Sequence, residues 1–266
     1  MNNYGILAVV AIAIIATAAC VHVVENHSDD AEPERIGIIG ATSEEVTLLL
    51  DAMHIDYKET VADTMFYVGT LGECDVTIVQ SGMGKVNAGI CAQLLITEFN
   101  AKAVINTGVA GSLDNALDIE DFVVSVDAVQ HDFDASPIGY AKGEIPFTGK
   151  YSFEADEGLR AKTVDAITKV CPDVSVYEGR ICSGDQFISS SEQKDAITSQ
   201  FGGLCCEMEG AAMAQVCYLN DVPFVIIRAI SDKADGSAHE DYPTFVEKAS
   251  KRSAAALIYM LENWDQ

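Results

Sequence analysis

In the run Gly202-Gly-Leu-Cys-Cys-Glu-Met-Glu-Gly-Ala-Ala-Met-Ala-Gln-Val216, two carboxylates, Glu207 and Glu209, straddle Met208 where a strand-like segment gives way to an Ala-rich helical pattern. In open parallel α/β sheets, ligands sit in the crevice outside the carboxyl ends of the strands, so this junction is a candidate ligand site. The helix dipole alone would also favour acids at that point. Gly37-Ile-Ile-Gly40 and Gly82-Met-Gly84 mark the same kind of junction, where missing side chains let backbone groups approach a small ligand. Neither completes a dinucleotide fingerprint. Lys85 lacks the upstream glycine and the following Ser/Thr of a phosphate loop, which disfavours a nucleoside triphosphatase. Taken singly, Thr42-x-x-Glu45 reads as a capping box, Asp232 as a cap or Asx-turn after a strand, and Phe187 and Met83 as core residues. His131-Asp132 suggests a metal but has no third ligand nearby, and a loop or dimer contact is the expectation there.

These positions must be held by alternating strands and helices. Apolar runs at Arg35–Gly40, Phe66–Gly69, Asp75–Gln80, Ala103–Gly111, Asp121–Val126, Val174–Cys182 and Val222–Ala229 read as strands. Helical spacing follows in Ser43–Ile55, after Lys85, in Ala155–Val170, from about Ser190, after Glu209 and in Tyr242–Glu262. The stretch His131–Tyr151, with Pro137, Gly139, Gly143, Pro146 and Gly149, reads as a long functional or interface loop. The pattern predicts one α/β domain over 35–266, with a mixed, largely parallel sheet flanked by helices.

Ahead of it, Gly5–Val24 is a nearly unbroken apolar run of bilayer-crossing length, so 1–24 is expected to be a signal peptide or membrane anchor. Residues 25–34 read as an acidic linker. No Lys or Arg precedes the apolar run, and Ala18-Ala19-Cys20 resembles the end of a lipoprotein signal. An anchored or exported protein is expected, with the extracytoplasmic side favoured. The formal net charge of -25, from 41 acidic and 16 basic residues, argues against nucleic acid or an anionic lipid surface as partner. The eight cysteines show no CxxC pair and no zinc spacing; some could pair if the domain is exported.

Six stretches carry a resemblance. Ile36-Gly-Ile-Ile-Gly-Ala-Thr-Ser-Glu-Glu-Val46, Ser81-Gly-Met-Gly-Lys-Val86, Asn106-Thr-Gly-Val-Ala-Gly111, Ser183-Gly-Asp-Gln-Phe-Ile188, Glu207-Met-Glu-Gly210 and Arg228-Ala-Ile-Ser-Asp232 are similar, in order, to the motifs of 5'-methylthioadenosine/S-adenosylhomocysteine nucleosidases. The likeness spans Arg35–Trp264. It implies the three-layer phosphorylase/hydrolase-like fold shared with purine nucleoside phosphorylases, and hydrolysis of the N-glycosidic bond of a 5'-thioadenosine. Sugar-cation transition states commonly use carboxyl groups in separate roles. By resemblance, Glu45 activates the water, Asp232 protonates or hydrogen-bonds N7 of the leaving adenine, and Glu209 accepts from the ribose hydroxyls. Phe187 would stack on adenine and the backbone of Ile188 would read its edge. Met208 would line the sugar; Met83, Tyr242 and Phe245 the 5'-thio substituent; Ala110 and Gly111 the purine side. Ser231 and Arg228 would flank the acid, with Arg228 holding the loop or a ribose-side carboxylate. The resemblance implies no metal, no organic cofactor and a homodimer whose 133–147 loop closes the neighbour's 5'-pocket. Thr42 and Val109 depart from the methionine and serine frequent in the family. A phosphate-dependent phosphorylase, a futalosine-type hydrolase, and a non-catalytic nucleoside binder or adhesin remain the alternatives.

Overall fold

The computed structural model describes residues 34–265; the expected membrane segment 1–24 and all but the last residue of the acidic linker lie outside the described residues. Ten strands join in one sheet in the order β10-β6-β8-β9-β5-β1-β4-β3-β2, with β7 beside β6. They are β1 (Arg35–Gly40), β2 (His54–Val61), β3 (Thr64–Leu71), β4 (Cys74–Gln80), β5 (Ala101–Ser112), β6 (Phe122–Gln130), β7 (Phe153–Glu154), β8 (Val176–Ser183), β9 (Cys205–Glu207) and β10 (Phe224–Asp232). Because β10 also pairs with β5, strands β5, β10, β6, β8 and β9 close into a ring, and β1, β4, β3 and β2 extend from it as an arm. The sheet is mixed, as expected, but the antiparallel share is larger than the helical spacing implied. Parallel pairings β1–β4, β1–β5, β5–β10, β6–β8 and β8–β9 are matched in number by antiparallel β2–β3, β3–β4, β5–β9, β6–β7 and β6–β10.

The six α-helices among the described residues are α1 (Ser43–Ala52), α2 (Lys85–Thr97), α3 (Glu157–Val170), α4 (Ser191–Phe201), α5 (Gly210–Leu219) and α6 (Ala238–Glu262). Helices α1 and α3 pack on α6 over one face of the sheet, and α2 packs on α5 over the other. Every residue of β1 and β10 is buried, which is why both are legible as continuous apolar runs. Strand β2 is the opposite case. It is an edge strand, mostly exposed, carrying Asp56, Lys58 and Glu59, and such an edge has no apolar pattern to read. The helix expected to reach Ile55 therefore stops at Ala52, and the chain turns at Met53 into β2. Helix α6 starts one turn before the expected Tyr242, with Pro243 inside it. Strand β6 runs on to Gln130, and the 131–151 segment is irregular apart from a 3-10 turn at Ser136–Ile138 and one bridge.

Among the described residues, no helix is long and apolar enough to cross a membrane. The seven described cysteines are buried and free of disulfides.

Candidate active site

The ends of β1, β5, β9 and β10 and the loops after β4 and β8 converge on one open cavity. Its wall includes Glu45, Met83, Ala110, Gly111, Phe187, Ile188, Met208, Glu209, Ser231, Asp232 and Tyr242, all expected from the sequence.

Glu45 occupies the third position of α1 and is buried. Its Oε2 accepts from the backbone N–H of Ala41 at 2.6 Å and of Thr42 at 3.0 Å, and its Oε1 from Val109 N–H at 3.1 Å. One side chain thus makes the capping-box bond to Thr42 and also lines the cavity. Burial pushes its pKa up, against the pull of Arg228 and the three amides. Asp232 ends β10, where its Oδ1 accepts from Ala234 N–H at 2.8 Å and its Oδ2 from the Ser231 hydroxyl at 2.9 Å. Desolvation raises this carboxyl as well. Behind it, buried Lys194 donates to the carbonyl of Lys233 at 2.8 Å and pins the loop.

The two acids of the Glu-Met-Glu junction divide their labour. Glu207 serves the helix: its Oε2 accepts from Glu209 N–H at 3.1 Å and Gly210 N–H at 2.7 Å at the start of α5. It also pairs with Arg228 and accepts from Ser183, and although burial opposes ionisation, Arg228 holds it below the usual carboxylate range. Glu209 turns away from its own helix, and its Oε1 accepts from Gly84 N–H across the cavity at 2.7 Å. Desolvation and the neighbouring Glu207 charge raise its pKa to about 7.

Two expected contacts fall elsewhere. Arg228 is not in the cavity wall; it is 1% exposed beneath the floor, where it binds Glu207 and reaches Asn106 Oδ1 at 2.5 Å. An arginine that must neutralise a buried carboxylate is drawn into the core with it. Phe245, half-buried one turn of α6 beyond Tyr242, is also outside the wall. The Phe187 ring is 47% exposed and meets Tyr242 edge to face at 5.6 Å, so Tyr242 alone represents α6 at the mouth. Ala41, Thr42, Val109, Gln186, Cys206 and Glu207 line the cavity without having been assigned a substrate contact. All of these but Cys206 lie within the stretches that carry the resemblance, and Thr42 and Val109 stand out there as departures from it. Among the described residues, no cluster of His, Cys, Asp or Glu could hold a metal ion.

A sequence profile described as Phosphorylase superfamily matches residues 35–262. A 5'-methylthioadenosine/S-adenosylhomocysteine nucleosidase from Staphylococcus epidermidis is 42% identical over 229 residues, 86% of this chain and 99% of that protein. The chain belongs to the 5'-methylthioadenosine/S-adenosylhomocysteine nucleosidases of the phosphorylase superfamily. The nucleosidase from Neisseria meningitidis, solved in complex with methylthio-immucillin-A, superposes with a TM-score of 0.83 at 35% identity, covering 86% of this chain and 99% of that one. Futalosine hydrolase of Helicobacter pylori superposes with a TM-score of 0.81 at 35% identity, covering 85% and 97%. The superfamily match thus takes in every strand and helix described above, and begins at the first residue of β1.

Proposed function

We propose that the chain hydrolyses the N-glycosidic bond of 5'-methylthioadenosine and S-adenosylhomocysteine, releasing adenine and the 5-thioribose product. The observation that carries this reading is the convergence of three buried carboxyls, Glu45, Glu209 and Asp232, on one cavity that also offers an aromatic face at Phe187. In this reading Glu45 takes a proton from the attacking water. Three amides occupy its oxygens and leave about one of some four lone-pair directions for that water. The water oxygen bonds to C1', the C1'–N9 electron pair passes into the purine, and Asp232 gives N7 its proton. A carboxyl raised by burial stays protonated to higher pH than ordinary aspartate, which suits an acid. Glu209, when ionised, accepts from the ribose hydroxyls and favours positive charge on the ring. Met208 lines the sugar side, and Met83 and Tyr242 stand on the side of the 5'-thio substituent, all three in the cavity wall.

The deciding experiment is release of the free purine base from 5'-methylthioadenosine, S-adenosylhomocysteine and futalosine by purified residues 35–266, with and without phosphate. Phosphate-independent release from the thioadenosines is expected. Release that requires phosphate and yields a sugar phosphate would replace this reading with a phosphorylase. Glu45→Gln and Asp232→Asn should each lower kcat by about 10²–10⁴-fold at an unchanged melting temperature, the range lost with a general acid or base.

The same reading includes a homodimer and a membrane-directed chain. Support for the dimer comes from apolar side chains left in solvent, including Val86 at 71% exposure, Ile138 at 74% and Phe147 at 99%. Support for anchoring or export comes from the apolar composition of Gly5–Val24.

A further inference from the structure

Two sequence features are left unused by the cavity: Lys85, which completes no phosphate loop, and His131-Asp132, which completes no metal site. The fold brings them together. Lys85 Nζ lies 2.5 Å from Asp132 Oδ1 and donates to Gln130 Oε1 at 3.0 Å. The second Asp132 oxygen accepts from Asp185 N–H at 2.8 Å, and Asp185 Oδ1 accepts in turn from Lys85 N–H at 2.8 Å. Gln130 is braced by Gln215 of α5 at 2.7 Å. The result is a closed ring of hydrogen bonds that joins the turn before α2, the loop after β6 and the loop after β8.

None of Lys85, Asp132 and Asp185 lines the cavity, yet two of the joined segments do. Gly84, whose N–H holds Glu209, precedes Lys85, and its φ of 99° together with Asp185 Oδ1 3.2 Å from where a Cβ would stand fixes that turn tightly. Phe187 and Ile188 follow Asp185 by two and three residues. The Lys85 and Asp132 side chains are 16% and 18% exposed, so the pair is only weakly screened. Burial would raise Asp132, but Lys85 and the Asp185 amide outweigh it and keep the carboxyl ionised.

We propose that Asp132 is a positioning residue: through Lys85 and Asp185 it sets the Gly84 amide against Glu209 and the Phe187 loop against the purine, in fixed relation to each other. The catalytic consequence rests on the nucleosidase reading; the mechanical coupling does not. Lys85 and the Asp185 amide meet different oxygens of Asp132, and asparagine would set an NH2 donor against one of them, so Asp132→Asn opens the ring without creating a cavity.

The test combines hydrogen exchange with kinetics on the full chain. In Asp132→Asn, exchange should quicken together in segments 81–88 and 183–189 and stay unchanged in β3. kcat/KM should fall by about 10–100-fold, with KM rising, the scale expected of a sub-ångström to 1 Å misplacement. Lys85→Met should give the same loss, and the double variant little more than either single one. Glu209 faces Glu207, Arg228 and Glu45 besides the Gly84 amide, and loosening that amide should move the acidic limb of the pH profile to higher pH. Asp127→Asn is the control, since Asp127 forms a comparably buried pair with Arg180 that touches neither cavity loop. It should lower the melting temperature while sparing KM and the pH limb. Faster exchange confined to 130–134, or kinetics of Asp132→Asn no different from the control, would overturn the proposal. Coupled exchange in a wild-type chain that releases no adenine would uphold the coupling and overturn the nucleosidase reading instead.

Discussion

Each carboxyl of the cavity is held by a different kind of donor. Glu45 has three amides from two strand ends, Asp232 has its own loop, and Glu209 has the single Gly84 amide. Glu209 is therefore the least supported, and at about 7 it titrates in the working range. Its ionised form is the one that accepts from ribose, so kcat/KM should fall as pH is lowered through about 7, and Glu209→Gln should lose that limb along with most activity. Stability moves the other way. A folded-state pKa above the usual carboxylate value means that the native chain binds the proton more tightly than the unfolded one. The resulting stabilisation is complete below the unfolded value and is lost as pH rises through about 7. Glu209→Gln should consequently melt higher than wild type at pH 8 and by less at pH 5, with each kcal/mol worth roughly 2–4 °C in a chain of this size. A difference in melting temperature that does not vary with pH would count against the shift.

At the scale of elements, the site depends on strand ends that let side chains come unusually close to backbone. A Cβ on Gly108 of β5 would stand 2.6 Å from Glu45 Oε1, nearer than any real contact allows. Gly108→Ala should push Glu45 off the Val109 amide and lower kcat by about 10²-fold, the effect of a misplaced catalytic group. Global stability should fall less, because α1 keeps its packing on α6. Steady-state kinetics beside a thermal melt check this; a variant that loses fold and activity together would show that Gly108 serves packing alone. The same scale explains what was hard to read. β10 is buried throughout and stands out as an apolar run, whereas β2 is a charged edge and merges with the end of α1.

At the scale of the molecule, the sheet closes on itself only through β10, which pairs parallel with β5 and antiparallel with β6. That closure gathers Glu45, Glu209 and Asp232, separated by as much as most of the chain, around one opening. The exposed apolar residues Val86, Ile138 and Phe147 lie outside this closure. Residues 35–266 should sediment as a dimer, and Phe147→Asp with Val86→Asp should give a monomer with weakened substrate binding. An active wild-type monomer would remove the dimer from the proposed function.

The sequence by itself determined the α/β alternation, because buried strands and amphipathic helices leave periodic apolar patterns. The ordered motifs that resemble the nucleosidases also pointed to Glu45, Glu209 and Asp232, each of which taken singly reads equally as a helix-start or turn residue. Tertiary structure alone decided how the two acids of Glu207-Met208-Glu209, both in the cavity wall, divide their hydrogen bonds. That division depends on buried Arg228, 21 residues on from Glu207, and on the Gly84 amide, 125 residues away from Glu209. It alone withdrew Arg228 and Phe245 from the wall, since neither burial nor the outline of a cavity is written in residue type. It alone joined Lys85 to Asp132, because a hydrogen-bonded ring across three loops has no period along the chain.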